Sequence, residues 1–274
     1  MSALISVSEL VEALASEEAP RVLDVRWSLA VPDGRPLYAA EHLPGAIYVD
    51  MNTELAAPPS AQEGRHPLPT QGSLERAARS WGLETGEAVV VYDDASGLSA
   101  ARAWWLLRHA GVEDVRILDG GLSAWRAADA PIESGGVQPV PSDIELSWGR
   151  MPVIDADGAA EFSATGLLLD ARAGERYRGE SEPIDPRAGH IPGAVSAPTQ
   201  DNLIDGGLFL PADALRERFA ALGVDGSRPV AAYCGSGVTA THEIAALAEA
   251  GIDAALYPGS WSQWSNDAER PVAT

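Results

Sequence analysis

The chain has 274 residues, 46% of them apolar and 22% charged, and a formal net charge of −21. That length fits about two domains of ordinary size, and no apolar run approaches the ~18 residues of a membrane span. So acidic a surface argues against nucleic acid or anionic membrane as a partner, and any anionic substrate must be met by locally placed arginines. A single cysteine excludes an internal disulfide and a multi-cysteine metal site, and leaves no resolving thiol within the chain. Met1-Ser2-Ala3-Leu4-Ile5-Ser6 lacks a basic region followed by an apolar block, so a cytoplasmic protein is expected.

Taken in order, Ser6-Val7-Ser8-Glu9 has the form of a capping box opening a helix through Leu10, Val11 and Leu14. Arg21 to Arg26 reads as a strand with a charged end. The turn Glu41-His42-Leu43-Pro44-Gly45-Ala46 feeds a second short strand ending at Asp50, and the prolines at 58, 59, 67 and 69 predict an irregular segment. Val89 to Tyr92 is an apolar strand, Asp93 to Gly97 its turn, and Ser99 to His109 a helix ended by Gly111. Val115 to Leu118 gives another strand, and Gly120-Gly121-Leu122-Ser123-Ala124-Trp125 opens another helix.

The second half repeats that order. Asp170-Ala171-Arg172 answers Asp24-Val25-Arg26, and Gly189-His190-Ile191-Pro192-Gly193-Ala194 answers the first His-Leu-Pro-Gly-Ala turn. Tyr233-Cys234 answers Tyr92-Asp93, and Gly259-Ser260-Trp261-Ser262-Gln263-Trp264 answers the segment from Gly120. Landmarks recurring at a spacing of roughly 140–150 residues mark a duplicated domain. Strands alternating with helices predict an α/β fold, a mainly parallel sheet flanked by helices in each copy. The expected division is a first domain over 1–132, a linker over 133–150 and a second domain over 151–274.

The one cysteine lies between a predicted strand, Pro229 to Tyr233, and a predicted helix, Thr239 to Ala250. The turn joining them, Cys234-Gly235-Ser236-Gly237-Val238, is glycine-rich. Backbone N–H groups in such a turn, with the unpaired donors of the helix's first turn, favour negative charge at its centre and so favour a thiolate. A core cysteine would be flanked by bulkier apolar residues; here the glycines leave the sulfur uncovered and admit a ligand. A dual phosphatase-like use of such a loop would need Cys-x5-Arg, and position 240 is Ala.

Asp-x-Arg, Gly-His-Ile-Pro-Gly-Ala, a strand ending in cysteine and Gly-Ser-Trp-Ser-x-Trp, in this order, resemble the rhodanese family, and both halves together resemble its two-domain sulfurtransferases over nearly the whole chain. The resemblance implies an inactive N-terminal copy, consistent with Asp93 at the cysteine position, and a C-terminal copy in which Cys234 forms a persulfide. It implies a small sulfur donor, an acceptor that is a thiol, cyanide or a thioredoxin-like protein, no metal or organic cofactor, and a monomer or weak oligomer.

Within the family, thiosulfate-type members carry two basic residues after the cysteine and mercaptopyruvate-type members a small neutral pair. Gly235 and Ser236 match the second type, with thiosulfate as the alternative donor. The resemblance further implies that Arg176 and Arg187 bind the donor's carboxylate and ketone, that Arg102 faces the site, and that Asp50 and His66 form a proton relay. The amides of Gly235, Gly237 and Val238 are expected to hold the sulfur anion, with Ser236 relaying a proton and Thr239 capping the helix and bonding the sulfur. The alternative reading is that Asp50 ends a strand and His66 sits in a loop. His42 and His190 are assigned to structure, because both copies share them.

Overall fold

The computed structural model describes residues 2–274 and divides them into two units. The first comprises residues 1–57, 69–151 and 205–208, and the second 58–68, 152–204 and 209–274. The first contains β1 (Leu4–Ile5), α1 (Val7–Leu14), β2 (Arg21–Asp24), α2 (Arg35–Ala40), β3 (Ile47–Tyr48), α3 (Gln71–Ser80), β4 (Val89–Tyr92), α4 (Ala100–His109), β5 (Val115–Leu118) and α5 (Gly121–Ala127). In the second follow α6 (Ala156–Thr165), β6 (Leu167–Asp170), α7 (Gly174–Tyr177), β7 (Val195–Ser196), α8 (Ala212–Ala221), β8 (Val230–Tyr233), α9 (Thr239–Glu249), β9 (Ala254–Leu256) and α10 (Ser260–Trp264). No helix among the described residues is long and apolar enough to cross a membrane.

Every ladder is parallel, in the order β1-β5-β4-β2-β3 in the first unit and β7-β6-β8-β9 in the second. The central strands, Val-Val-Val-Tyr in β4 and Val-Ala-Ala-Tyr in β8, are buried throughout, as strands covered on both faces must be. The chain leaves β6 toward β7 on one side and returns to β8 on the other. The carboxyl ends of β6 and β8 therefore flank the switch in direction where open α/β sheets place their sites. The capping box at Ser6 and Glu9 forms as read.

Residues 133–150, expected as a linker, run as an extended strap hydrogen-bonded within the first unit. His42 and Glu133 exchange backbone bonds of 2.9 Å, and the Ser142 amide donates to the Arg79 carbonyl at 3.0 Å. The proline-bearing stretch 58–68 is irregular and belongs to the second unit.

The repeated Asp-x-Arg motif proves to be a buried ion pair at the end of a strand. Arg172 meets Asp170 at 2.6 Å, donates to the Gly189 carbonyl at 2.7 Å and lies 4.6 Å from the centre of the Trp261 ring. Arg26 and Asp24 do the same in the first unit at 2.6 Å, with the Tyr92 hydroxyl donating to the carboxylate at 2.5 Å. His42 and His190 stack on Tyr38 and Tyr177 and engage their carbonyls, the structural role expected of them.

Two stability predictions follow from these buried charges. Asp170→Ala strands the Arg172 guanidinium, and removing one partner of a buried pair costs about 3–5 kcal/mol; denaturant unfolding and hydrogen exchange should show that loss confined to the second unit. Glu243 on α9 is fully buried between Asn202 and Arg218, and burial lifts its carboxyl from 4.5 to about 7. The folded state thus binds the proton more tightly than the unfolded chain, and the second unit should lose about 3 kcal/mol as pH rises from ~4.5 to ~7. Glu243→Gln should flatten that slope in unfolding curves measured across this range.

Candidate active site

The turn that follows β8 carries the sulfur. Gly237 adopts φ +76°, and a Cβ there would lie 2.3 Å from the Pro258 carbonyl oxygen, so no side chain fits. Its N–H donates to Cys234 Sγ at 3.2 Å. The start of α10 fastens the same turn: the Trp261 and Ser262 amides donate to the carbonyls of Cys234 and Gly235 at 3.0 and 2.8 Å. The Cys234 amide donates to Ser260 Oγ at 3.1 Å, and that hydroxyl donates to the Tyr257 carbonyl at 2.9 Å. Ser260 is held at φ +52°, unusual for a residue with a side chain, by these bonds. This is the physical content of the Gly-Ser-Trp motif. Cys234 is 1% exposed, so the uncovered sulfur expected from its flanking glycines is not observed; Val238 is buried beside it, and α9 begins at Thr239. Val238, not Thr239, stands at the cap position and makes no side-chain capping bond, so the cap expected of Thr239 does not form. The backbone turn alone orients the donors.

What such a turn binds is visible in its twin. In the first unit the Asp93 carboxylate occupies the corresponding place and accepts four backbone N–H groups, from Ala95 and Gly97 at 2.8 Å, Ser99 at 2.7 Å and Ala100 at 2.9 Å. Burial pushes the Asp93 carboxyl upward, and these four bonds oppose it. A turn that turns four donors onto one buried point is an anion cradle. Around Cys234 the corresponding turn is shorter, five residues from Cys234 to the start of α9 against seven from Asp93 to the start of α4, and the donor it turns onto the sulfur is the Gly237 amide.

The two residues that follow the cysteine, Gly235 and Ser236, are met by an imidazole and two guanidinium groups. Ser236 Oγ and His66 Nδ1 are 2.8 Å apart and buried, whereas Asp50, the partner expected for His66, is bound to Arg35 in the first unit. Arg176, in α7, binds Glu182 at 2.6 Å and Asp185 at 3.2 Å. A Cβ built on Gly235 would lie 3.3 Å from Arg176 Nη1 and 3.1 Å from Arg65 Nη2. Gly235 therefore leaves room for two cations directly beside the nucleophile.

Arg65 escaped the sequence reading because it lies in a segment without periodicity, 169 positions before the cysteine. Its neighbour His66 was the available signal. The segment is pinned to α10: Gly64 approaches so closely that a Cβ would lie 2.8 Å from both the Gly259 carbonyl and Ser262 Oγ, and Ser262 Oγ accepts the Arg65 amide at 3.1 Å.

Arg187 corrects an expectation. Its guanidinium is committed to the carbonyls of Ser265 (2.8 Å), Trp264 (2.8 Å), Asp267 (2.5 Å) and Arg270 (2.9 Å), closing the C-terminal end of α10. Those contacts commit four of its five N–H donors to a structural tie. Asp50 and Arg102 belong to the first unit. Asp50 binds Arg35 at 2.7 Å and accepts the amides of Asn52 and Thr53, while the fully buried Arg102 donates to the Leu55 carbonyl at 3.2 Å.

Comparison with known proteins agrees with this architecture. The family profile of the rhodanese-like domain matches residues 6–128 and again 150–267. A Mycobacterium tuberculosis protein, SseB, provisionally named a thiosulfate sulfurtransferase, is 46% identical over 274 residues, covering 98% of this chain and 96% of its own. A Pseudomonas aeruginosa protein provisionally named a 3-mercaptopyruvate sulfurtransferase is 47% identical over 282 residues, covering 100% and 99%. The crystal structure of SseA from Escherichia coli, a 3-mercaptopyruvate enzyme, superposes with a TM-score of 0.84 at 31% identity, covering 95% of this chain and 99% of that one. With the duplicated parallel sheet, the cysteine turn and its carboxylate-filled twin all in place, this chain belongs to the rhodanese-like family, among its two-domain sulfurtransferases.

Proposed function

We propose that Cys234 carries a sulfane sulfur from 3-mercaptopyruvate to a thiol acceptor, either a small thiol or a thioredoxin-like protein, with cyanide serving in an assay. The observation that carries this reading is the pair of twin turns: the fold that encloses a carboxylate at Asp93 encloses a thiol at Cys234, so it favours an anionic sulfur. In the first half-reaction the Cys234 thiolate attacks the donor's sulfur. The carbon–sulfur bond breaks, its electron pair leaves with the pyruvate enolate, and the enolate takes up a proton. Ser236 Oγ, in contact with His66, is the group placed to deliver that proton. The backbone donors of the turn then hold the persulfide anion, with no rearrangement needed as charge moves onto the outer sulfur. In the second half-reaction an acceptor thiolate attacks the outer sulfur, the sulfur–sulfur bond breaks and Cys234 returns as thiolate. With one cysteine in the chain, discharge to an outside acceptor is required. A reducing, cytoplasmic setting and a monomeric enzyme suit that cycle.

Thiosulfate is the second donor to consider, and a specific feature favours it: two guanidinium groups flank Gly235 although the turn itself is neutral. Here the sulfur–sulfur bond of the donor breaks and sulfite leaves as an anion.

Cys234→Ser should abolish turnover with either donor, and intact mass spectrometry should show no added sulfur; residual turnover in the cysteine-free variant would refute the assignment. Because an enolate needs a proton and sulfite does not, His66→Gln and Ser236→Ala should lower kcat for 3-mercaptopyruvate by about 10²-fold, within the range of general acid–base effects, and affect thiosulfate much less. Equal losses with both donors would remove the proton relay from the mechanism.

A further inference from the structure

The basic groups beside Cys234 are the outer end of a continuous row of alternating charge. Asp170 binds Arg172, which reaches Glu182 at 3.3 Å; Glu182 binds Arg176 at 2.6 Å; Arg176 meets Asp185 at 3.2 Å; and Asp185 binds Arg65. The row balances three carboxylates against three guanidinium groups. The bend from Glu182 to Asp185 is folded about the Glu182 carboxylate, which accepts the amides of Ile184 and Asp185 at 3.2 and 3.0 Å. Glu182 is therefore a fixed part of the backbone, whereas the Asp185 side chain is tied only by the two arginines among the contacts described.

Those two arginines converge. Asp185 Oδ1 faces Arg65 and Oδ2 faces Arg176, so one carboxylate spans the pair that lies over Gly235. The Asp185 side chain is 3% exposed against 25% for Arg65. Burial drives the Asp185 carboxyl upward, the Arg65 guanidinium draws it back, Glu182 adds to the rise and Arg176 opposes it. Arg65 Nε is buried without a hydrogen-bond partner. Among the described residues this buried donor has no acceptor, a position a ligand oxygen can fill.

We infer that Arg65 is a second donor-binding residue, that it and Arg176 clasp the anionic group of the sulfur donor, and that Asp185 occupies the clasp when no donor is bound. Arg65 thereby supplies, from a segment far from the cysteine in sequence, a cation that the neutral Gly-Ser-Gly turn lacks. A carboxylate or sulfonate-like group entering the clasp exchanges with the Asp185 carboxylate, so the donor binds in competition with an internal anion. The more charge the donor brings, the more it depends on the second arginine. This inference rests on the sulfur-transfer reading of Cys234.

The test is steady-state kinetics on the full chain with 3-mercaptopyruvate and with thiosulfate, for the wild type, Arg65→Gln, Arg65→Lys and Asp185→Asn, alongside mass spectrometry of the persulfide. Loss of a charge-assisted bond should raise KM for Arg65→Gln by about ten- to a hundred-fold, more for thiosulfate than for 3-mercaptopyruvate, with a smaller change in kcat. Arg65→Lys should recover part of the loss. Asp185→Asn should lower KM for both donors, a direction that mere loosening of the loop does not produce. KM within about twofold of wild type for Arg65→Gln, or a rise in KM for Asp185→Asn matching that of Arg65→Gln, would overturn the clasp while the wild-type persulfide still forms. Absence of persulfide from either donor in the wild type would instead overturn the sulfur-transfer reading, and the clasp with it.

Discussion

The controlling constraint is the turn that follows the central strand of each unit, whose backbone N–H groups face the residue at its start, four of them onto Asp93 and that of Gly237 onto Cys234. Four N–H groups aimed at one point cannot be left without an acceptor at acceptable cost. The first unit solves this permanently with the Asp93 carboxylate. The second places Cys234 there, and Gly237 N–H already reaches its sulfur. The corresponding turn thus holds a carboxylate in one copy and a thiol in the other, the first bonded by four amides and the second reached by that of Gly237. Catalytic asymmetry between duplicated domains goes with that exchange and the shorter turn, in a frame common to both.

That frame depends on a second, less visible device. Each Asp-x-Arg pair closes the end of a strand with a desolvated ion pair, but only in the second unit does the pair continue outward. Arg172 shares Glu182 with Arg176, and through Asp185 the row reaches Arg65. A lone guanidinium beside a buried sulfur would swing toward the many carboxylates of a chain with net charge −21. A row anchored at Asp170 instead fixes its direction. Positive charge is presented locally while the row as a whole stays neutral, which is how so acidic a protein can approach an anionic donor. All of its basic residues are arginines, whose planar fork binds two carboxylates at once where lysine presents a point charge.

Much of this was legible in the sequence, for identifiable reasons. The parallel-sheet fold could be read because Val-Val-Val-Tyr and Val-Ala-Ala-Tyr are continuous apolar runs and because each landmark recurs in order. Cys234 could be read because the glycines beside it have no use in a packed core. The roles of His42 and His190 followed from their presence in both halves. Where the reading failed, tertiary context decided. Arg187 has the sequence setting of a substrate residue, yet the end of α10 and the turn after it present it with four carbonyls that no local pattern announces. Thr239 looks like a cap, but the helix starts one residue too early for its side chain to serve. Residues 133–150 have a linker's composition and are held in place by backbone pairing that composition does not encode. Arg65 lies in a proline-bearing stretch whose irregularity hides its destination, and only the close approach of Gly64 to Gly259 brings it to the sulfur.

Arg65 and Arg187 together show how a binding site can migrate along a chain without moving in space. What a donor meets is a pair of guanidinium groups over Gly235, and the fold is indifferent to which segment delivers them. Here α7 supplies one, and a loop from the first half of the sequence supplies the other. The arginine expected for the second place is free to tie down α10, the helix whose amides fasten the cysteine turn. The exchange makes both functions depend on α10. Its N-terminal residues hold the turn and, through Ser262, the Arg65 backbone; its C-terminal carbonyls are held by Arg187. A short helix of five residues has little stability of its own. Its order must come from these tertiary bonds, so the position of the second guanidinium and the geometry of the nucleophile are set by the same few contacts. Substitution at Arg187 should accordingly disturb the sulfur through the scaffold, whereas substitution at Arg65 acts on the donor's charge.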